Sequence, residues 1–197
     1  MLNALLVKDS MYVEQPNNLK PETFDRATHF LTHSDCLRIK NMHKNVEKWE
    51  GKVHDKDNSK KANSVRQVDV YPIQDLGLAE LIYDTVKTYN ATSFRFDIAG
   101  IFDNLQLLHY KTGHHYDWHT DIGQGIYSNR KISVSILLDD KCDGGELVLK
   151  QGADRPIYME AGDMVMFPSY VLHKITPVTK GERWSLVTWI QDIKPFR

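Results

Sequence analysis

Very little in this 197-residue sequence is extreme, and each thing it lacks removes a class of function. Its 25 basic and 26 acidic residues leave a formal net charge of −1, so no basic surplus points to nucleic acid or an anionic membrane as main partner. No uninterrupted apolar run approaches the length that crosses a bilayer. The opening MLNALLVKD is mildly apolar but has no basic leader and meets Lys8 and Asp9 early, so no signal peptide is expected. Cysteine is scarce. Cys36 and Cys142 lie far apart and make neither a disulfide framework nor a metal-type pair, which fits a reducing, cytoplasmic setting. There are no repeats and no low-complexity tract. What is present is ordinary: 41% apolar and 26% charged residues, enough for one globular domain over residues 1–197 with a real core.

The texture changes partway along the chain. Asn18, Lys20 and Pro21 look like a helix start, with Phe24, Ala27, Thr28 and Leu31 following at helical spacing. The stretch 50–66, EGKVHDKDNSKKANSVR, is polar and aperiodic and reads as a long exposed loop. A clear helix is expected over 75–90, where Leu78, Leu81, Ile82, Thr85, Val86 and Tyr89 form one stripe behind Asp75. From residue 94 onward, short β-type runs alternate with Gly, Asp and Pro: FRFDIAGIF, LQLLHYKTG, RKISVSILLDD, GGELVLKQG, PIYMEAGDMVMFP, LHKITPV and RWSLVTWIQ. The expected architecture is α+β. A double-stranded β-helix core (a cupin-like jelly roll) spans 94–192, with a mainly helical support layer, 1–93, packed against it.

Polar chemistry concentrates in YKTGHHYDWHTD, residues 110–121. A His and an Asp two residues apart on an extended segment point the same way, so they can offer one nitrogen and one oxygen to a single metal. Both His115/Asp117 and His119/Asp121 have that spacing and share one parity, and spacing alone leaves the choice open. His173, at the head of a later β-run, is the candidate third ligand. Two imidazoles and one carboxylate with open positions suit non-haem Fe(II). In the last strand Arg183, Ser185, Val187 and Trp189 share a face. If that face is inward, a guanidinium enters a largely apolar cavity, where it needs an anionic partner or several hydrogen bonds.

Together these positions resemble the iron(II)/2-oxoglutarate-dependent dioxygenases, in particular the prolyl 4-hydroxylase branch and the PKHD-type hydroxylases. That branch carries Tyr-x-x-Gly-x-x-Tyr-x-x-His-x-Asp, and Tyr110, Gly113, Tyr116, His119 and Asp121 fall on it without a gap. The later blocks GGELVLK, AGDMVMFPSYVLHKITPV and GERWSLVTWIQ follow in the family's order. The resemblance implies that His119, Asp121 and His173 hold Fe(II). It implies that Arg183, Tyr110, Ser185 and Leu147 bind 2-oxoglutarate, and that Tyr116 (among the catalytic residues) and Trp189 face the substrate. It further implies dioxygen as co-reactant, ascorbate as reductant, and C–H hydroxylation with release of succinate and CO2 on a protein or peptide. Collagen-type relatives have lysine where this chain has Arg183, which loosens any link to a collagen-like substrate. The alternatives are a hydroxylase of a free small molecule, a non-catalytic jelly-roll sensor of iron or 2-oxoglutarate, and a cupin-like enzyme using another metal.

Overall fold

A computed structural model of the chain describes residues 23–50 and 65–196. Among the described residues are two full α-helices, α1 (His33–Asn41) and α2 (Leu76–Asn90), and the strands that follow. Seven strands precede the turn at 140: β1 (Asp25–Ala27), β2 (Trp49–Glu50), β3 (Arg66–Gln67), β4 (Asp69–Ile73), β5 (Leu105–Lys111), β6 (His115–His119) and β7 (Arg130–Asp139). Six follow it: β8 (Cys142–Gly144), β9 (Leu147–Gln151), β10 (Ala153–Ile157), β11 (Met164–Pro168), β12 (His173–Ile175) and β13 (Val178–Gln191). The larger sheet runs β1-β11-β7-β13-β5-β4-β2, with β8 added to β13; the smaller runs β10-β9-β12-β6-β3. All named pairings are antiparallel, as a jelly roll requires.

Period-two alternation divides the core into two layers. Leu107, Ile136, Met164, Met166, Trp184 and Leu186 join Leu78, Ile82 and Val86 of α2 and Cys36 and Ile39 of α1 in one cluster. Their strand neighbours Leu108, Leu137, Val165 and Phe167 join Leu147, Leu149 and Ile175 of the smaller sheet in another. The strands of the larger sheet therefore give one face to the helices and the other to the space between the sheets. Arg183 and Ser185 have the parity of that second, inner face. Central β7 is buried along nearly its whole length because both of its faces are covered.

The helix over 75–90 forms as expected, with the Asp75 carboxylate accepting the Leu78 N–H at 3.0 Å. Its buried residues are Leu78, Ile82, Val86 and Asn90, a strict four-residue row; Leu81 faces outward at 49% exposure. Two expectations fail. The helix expected through Phe24 and Leu31 is absent from the described part of that stretch: residues 25–27 form β1 on β11, and the helix starts only at His33. The apolar spacing there serves a sheet edge and a turn, and the capping box of Thr32 and Asp35 marks where the helix begins. Asn18–Pro21 and most of the 50–66 loop lie outside the described residues. FRFDIAGIF makes no strand beyond a single bridge between Gly100 and Gln191. The Asn90 carboxamide takes both backbone groups of Phe96, at 3.0 and 2.9 Å, and Arg95 has φ 56°, so the segment is spent on the helix exit.

Gly162 ties the N-terminal segment to the sheet. Its φ is +96°, Leu31 N–H donates to its carbonyl at 3.0 Å, and a Cβ there would sit 2.3 Å from the Leu31 oxygen. Gly162→Ala is expected to destabilise the protein by about 2–4 kcal/mol, read as a lower denaturant midpoint at unchanged slope.

Candidate metal centre and cleft

β6 and β12 lie side by side in the smaller sheet, with His119 opposite His173. The register then slips, so that Ile175 faces Tyr116. This bulge reverses the alternation expected along 115–121, because an extra residue on one strand turns the following side chains over. Tyr116 and His119 end on the same side, their rings stacked at 3.4 Å and 11°. Asp117 is exposed and occupied with the Trp118 N–H at 2.8 Å, and His115 does not join the cluster. The expectation that 115, 117, 119 and 121 share one face is therefore corrected. Of the two His-x-Asp pairs, His119 and Asp121 lie together with His173, and His115 and Asp117 do not.

His119, Asp121 and His173 each bring one donor atom to a common point, all within 4.8 Å of one another. His119 Nε2 is 3.7 Å from Asp121 Oδ1, and His173 Nε2 is 3.5 Å from Asp121 Oδ2. The opposite ring nitrogens donate to backbone carbonyls: His119 Nδ1 to Asp117 at 2.8 Å and His173 Nδ1 to Val171 at 2.9 Å. With hydrogen on Nδ1, each Nε2 presents a lone pair to a carboxylate that also has only lone pairs to offer. Such a set can share one cation, and its two nitrogens and one oxygen match a divalent transition metal. Burial and the neighbouring His173 push His119 down to about 3, keeping it in the neutral form that ligates. Burial pushes the Asp121 carboxyl up, but the two imidazoles, Ser133 and Trp189 together hold it below the ordinary carboxylate value.

The second half of the cleft is built by β13. Arg183 is 3% exposed and donates from Nη1 to Ser185 Oγ at 2.7 Å. Its guanidinium carbon lies 5.6 Å from the centre of the buried Tyr110 ring, and no carboxylate among the described residues forms an ion pair with it. A Cβ at Gly145 would press on the Arg183 stem at 3.0 Å, so the Gly144-Gly145 turn is what lets that side chain lie down. Burial lowers the Arg183 pKa and raises that of Tyr110; Tyr116 is pushed up to about 12 by burial, so both phenols stay neutral.

His119, Asp121, His173, Tyr110, Tyr116, Arg183, Ser185 and Trp189 all line one cleft. Leu147 does not. It lines a separate groove on the far side of Arg183, bordered by Asp139, Asp143 and Glu146, and otherwise packs in the inter-sheet core. Sequence reasoning missed Ser133, whose hydroxyl donates to Asp121 Oδ2 at 2.6 Å, and Arg130, which holds the Asp121 carbonyl at 3.3 Å and covers Trp189 at 3.5 Å. The alternating serines of KISVSILL were the available signal for Ser133: polar side chains on an inward parity need an inward partner. Arg66 was missed too, and lines the same cleft.

The sheets define a jelly roll, and the cluster within it is a candidate two-histidine, one-carboxylate metal site. Comparison with known proteins agrees. The family model of the 2OG-Fe(II) oxygenase superfamily matches residues 105–191. A PKHD-type hydroxylase of Alteromonas mediterranea is 39% identical over 69 residues, which are 34% of this chain and 30% of that protein. One from Gluconobacter oxydans is 36% identical over 93 residues, 43% of this chain and 41% of that protein. The chain thus matches less than half the length of these relatives. Among solved structures, a Pseudomonas putida prolyl-4-hydroxylase superposes with TM-score 0.69 at 18% identity, covering 87% of this chain and 94% of that one. A Trichoplax adhaerens prolyl hydroxylase, in complex with a hypoxia inducible factor oxygen degradation domain peptide, gives 0.72 at 19%, covering 89% and 86%. The chain resembles the 2OG-Fe(II) oxygenases, and the fold it shares with these structures is the jelly roll of prolyl hydroxylases.

Proposed function

We propose that this protein is an Fe(II)- and 2-oxoglutarate-dependent dioxygenase, prolyl 4-hydroxylase-like, that hydroxylates a C–H bond of a protein or peptide. One observation carries the reading: a three-donor metal cluster and a buried guanidinium without a carboxylate partner open into the same cleft. In this reading His119, Asp121 and His173 hold the metal, and Arg183 takes the distal carboxylate of 2-oxoglutarate in two-point contact. Ser185 orients that guanidinium, Tyr110 closes over the cosubstrate, and Tyr116 and Trp189 form the substrate side. Bound there, Fe(II) with dioxygen and 2-oxoglutarate supplies the oxidising chemistry, yielding succinate and CO2, with ascorbate as reductant. The chain contributes orientation and exclusion of water: Ser133 and the two backbone carbonyls fix the ligand atoms, and the apolar walls Leu108, Phe167 and Ile175 keep the cleft dry. We also read residues 1–197 as one catalytic domain and the compartment as the cytoplasm, supported by two unpaired cysteines. Among the described residues no helix is long and apolar enough to cross a membrane.

The test is anaerobic addition of Fe(II) and 2-oxoglutarate to metal-free protein. A metal-to-ligand charge-transfer band is expected in the wild type and not in folded His119→Ala. An iron-loaded wild type without the band would overturn the 2-oxoglutarate reading and favour a cupin-like enzyme using another metal.

A further inference from the structure

Three guanidinium groups border the cleft and its mouth, and their partners differ. Arg130 is neutralised, with Nη2 2.9 Å from Asp103, and lies between Tyr127 and Trp189. Arg183 has the role proposed above. Arg66 has neither. It stands on β3, in register with Tyr116, and its guanidinium carbon lies 4.7 Å from the centre of the Tyr116 ring. Tyr116 in turn stacks on His119, so Arg66, Tyr116 and His119 form a continuous pile that ends at the metal cluster. Arg66 Nε is buried with no hydrogen-bond partner, and no carboxylate among the described residues forms an ion pair with the group. Asp121, the carboxylate lining the same cleft, is committed to the two imidazoles and Ser133.

A cation held over a neutral aromatic face, with a buried N–H unanswered, is an anion site waiting for its anion. We propose that Arg66 binds a carboxylate of the primary substrate and so sets which carbon is presented to the metal, an inference that rests on the function proposed above. A single planar fork with no second unpaired cation beside it among the described residues suits a singly charged, planar carboxylate better than a phosphate. The cosubstrate does not supply it, because its distal carboxylate belongs to Arg183 and its keto-acid end to the metal. The substrate is then an acid that lays an apolar part along Tyr116 and Trp189 and its carboxylate against Arg66. It is either an acidic residue near the target in a peptide or a free acid.

The experiment uses the full chain loaded with Zn(II), which silences turnover, and saturated with 2-oxoglutarate. Propionate and propionamide are titrated as probes, with saturation-transfer NMR as readout. Propionate is expected to bind saturably and about tenfold or more tighter than propionamide; Arg66→Gln removes that preference and Arg66→Lys keeps part of it. Replacing propionate with L-proline, and then with an N-acetylated, C-amidated Pro-Glu peptide and its Pro-Gln counterpart, separates a free acid from an acidic peptide. A carboxylate preference lost in Arg66→Gln upholds the proposal from either source. Equal binding of propionate and propionamide, no saturable propionate binding, or a preference untouched by Arg66→Gln overturns it. So does an Arg66→Gln variant whose 2-oxoglutarate affinity falls about tenfold, since Arg66 would then hold the cosubstrate. The 2-oxoglutarate titration of wild type is read first: its failure removes the proposed function itself, whereas failure at the propionate step leaves that function standing.

Discussion

Asp121→Asn is expected to abolish metal binding without unfolding the metal-free protein. The carboxylate is the one anionic donor of the cluster, and besides accepting from the Ser133 hydroxyl it faces both imidazoles. Two imidazole lone pairs face it at 3.7 and 3.5 Å with no hydrogen between them. An asparagine keeps the shape. Its oxygen can accept from Ser133 in the place of Oδ2, which now does so at 2.6 Å, and its amide group, in the place of Oδ1, can donate to His119 Nε2. His173 Nε2 still faces an oxygen, and a charge whose pKa the surroundings hold below the ordinary carboxylate value is lost, so the metal-free variant is expected to melt at or slightly below wild type. Loss of an outer hydrogen-bonding partner already costs a metal site roughly 10–100-fold in affinity, so loss of the anionic ligand itself is expected to exceed about 100-fold for Fe(II). Metal titration and thermal unfolding of the same sample check both halves. A folded variant that binds Fe(II) normally would contradict the assignment of these three residues as ligands.

How much of this was legible beforehand follows from where periodicity is regular. Along β13 side chains alternate, so Arg183, Ser185 and Trp189 could be placed on one surface by counting in twos, while Tyr110, which lines the same cleft, came from the resemblance. At β6 the count breaks. The slip between His119 and Tyr116 is a property of how β6 pairs with β12, more than fifty residues on, and nothing in HHYDWHTD announces it. The resemblance to a known motif found His119 and Asp121 where alternation could not choose. The N-terminal segment failed for a related reason: Ala27 and Leu31 are apolar at helical spacing, yet the buried surface they meet belongs to β11 and Gly162, far along the chain. Leu147 follows its glycine pair as the motif suggests, but the Gly144-Gly145 turn serves the Arg183 stem, and Leu147 packs beyond it. Arg66 has no local signal, since its meaning lies in Tyr116 across the sheet.

Arg183→Met should separate stability from function at the other end of the cleft. In the ligand-free protein the guanidinium is almost wholly buried, its bonded partner is one hydroxyl, and the Tyr110 ring is its nearest aromatic cover. A charge so placed is a standing cost: burying it removes water that the single Ser185 contact does not replace, whereas methionine fills a similar volume without that penalty. The metal-free, ligand-free variant is therefore expected to gain about 1–3 kcal/mol, raising Tm by several degrees at this chain length. The same change removes the two-point partner of a carboxylate, and truncating one side of such a buried pair costs about 2–5 kcal/mol, so the Kd for 2-oxoglutarate is expected to rise about 30-fold or more. Saturating 2-oxoglutarate should then raise the Tm of wild type but not of the variant, because only a ligand that binds the folded state shifts its unfolding. Unequal burial makes the prediction asymmetric with Arg66. Arg66 is partly open to water and stacked on Tyr116, so its removal should change stability little and leave 2-oxoglutarate binding intact. If Arg183→Met instead lowered the stability of the ligand-free protein, the guanidinium would already be satisfied within the fold, and the case for a missing carboxylate beside it would be lost.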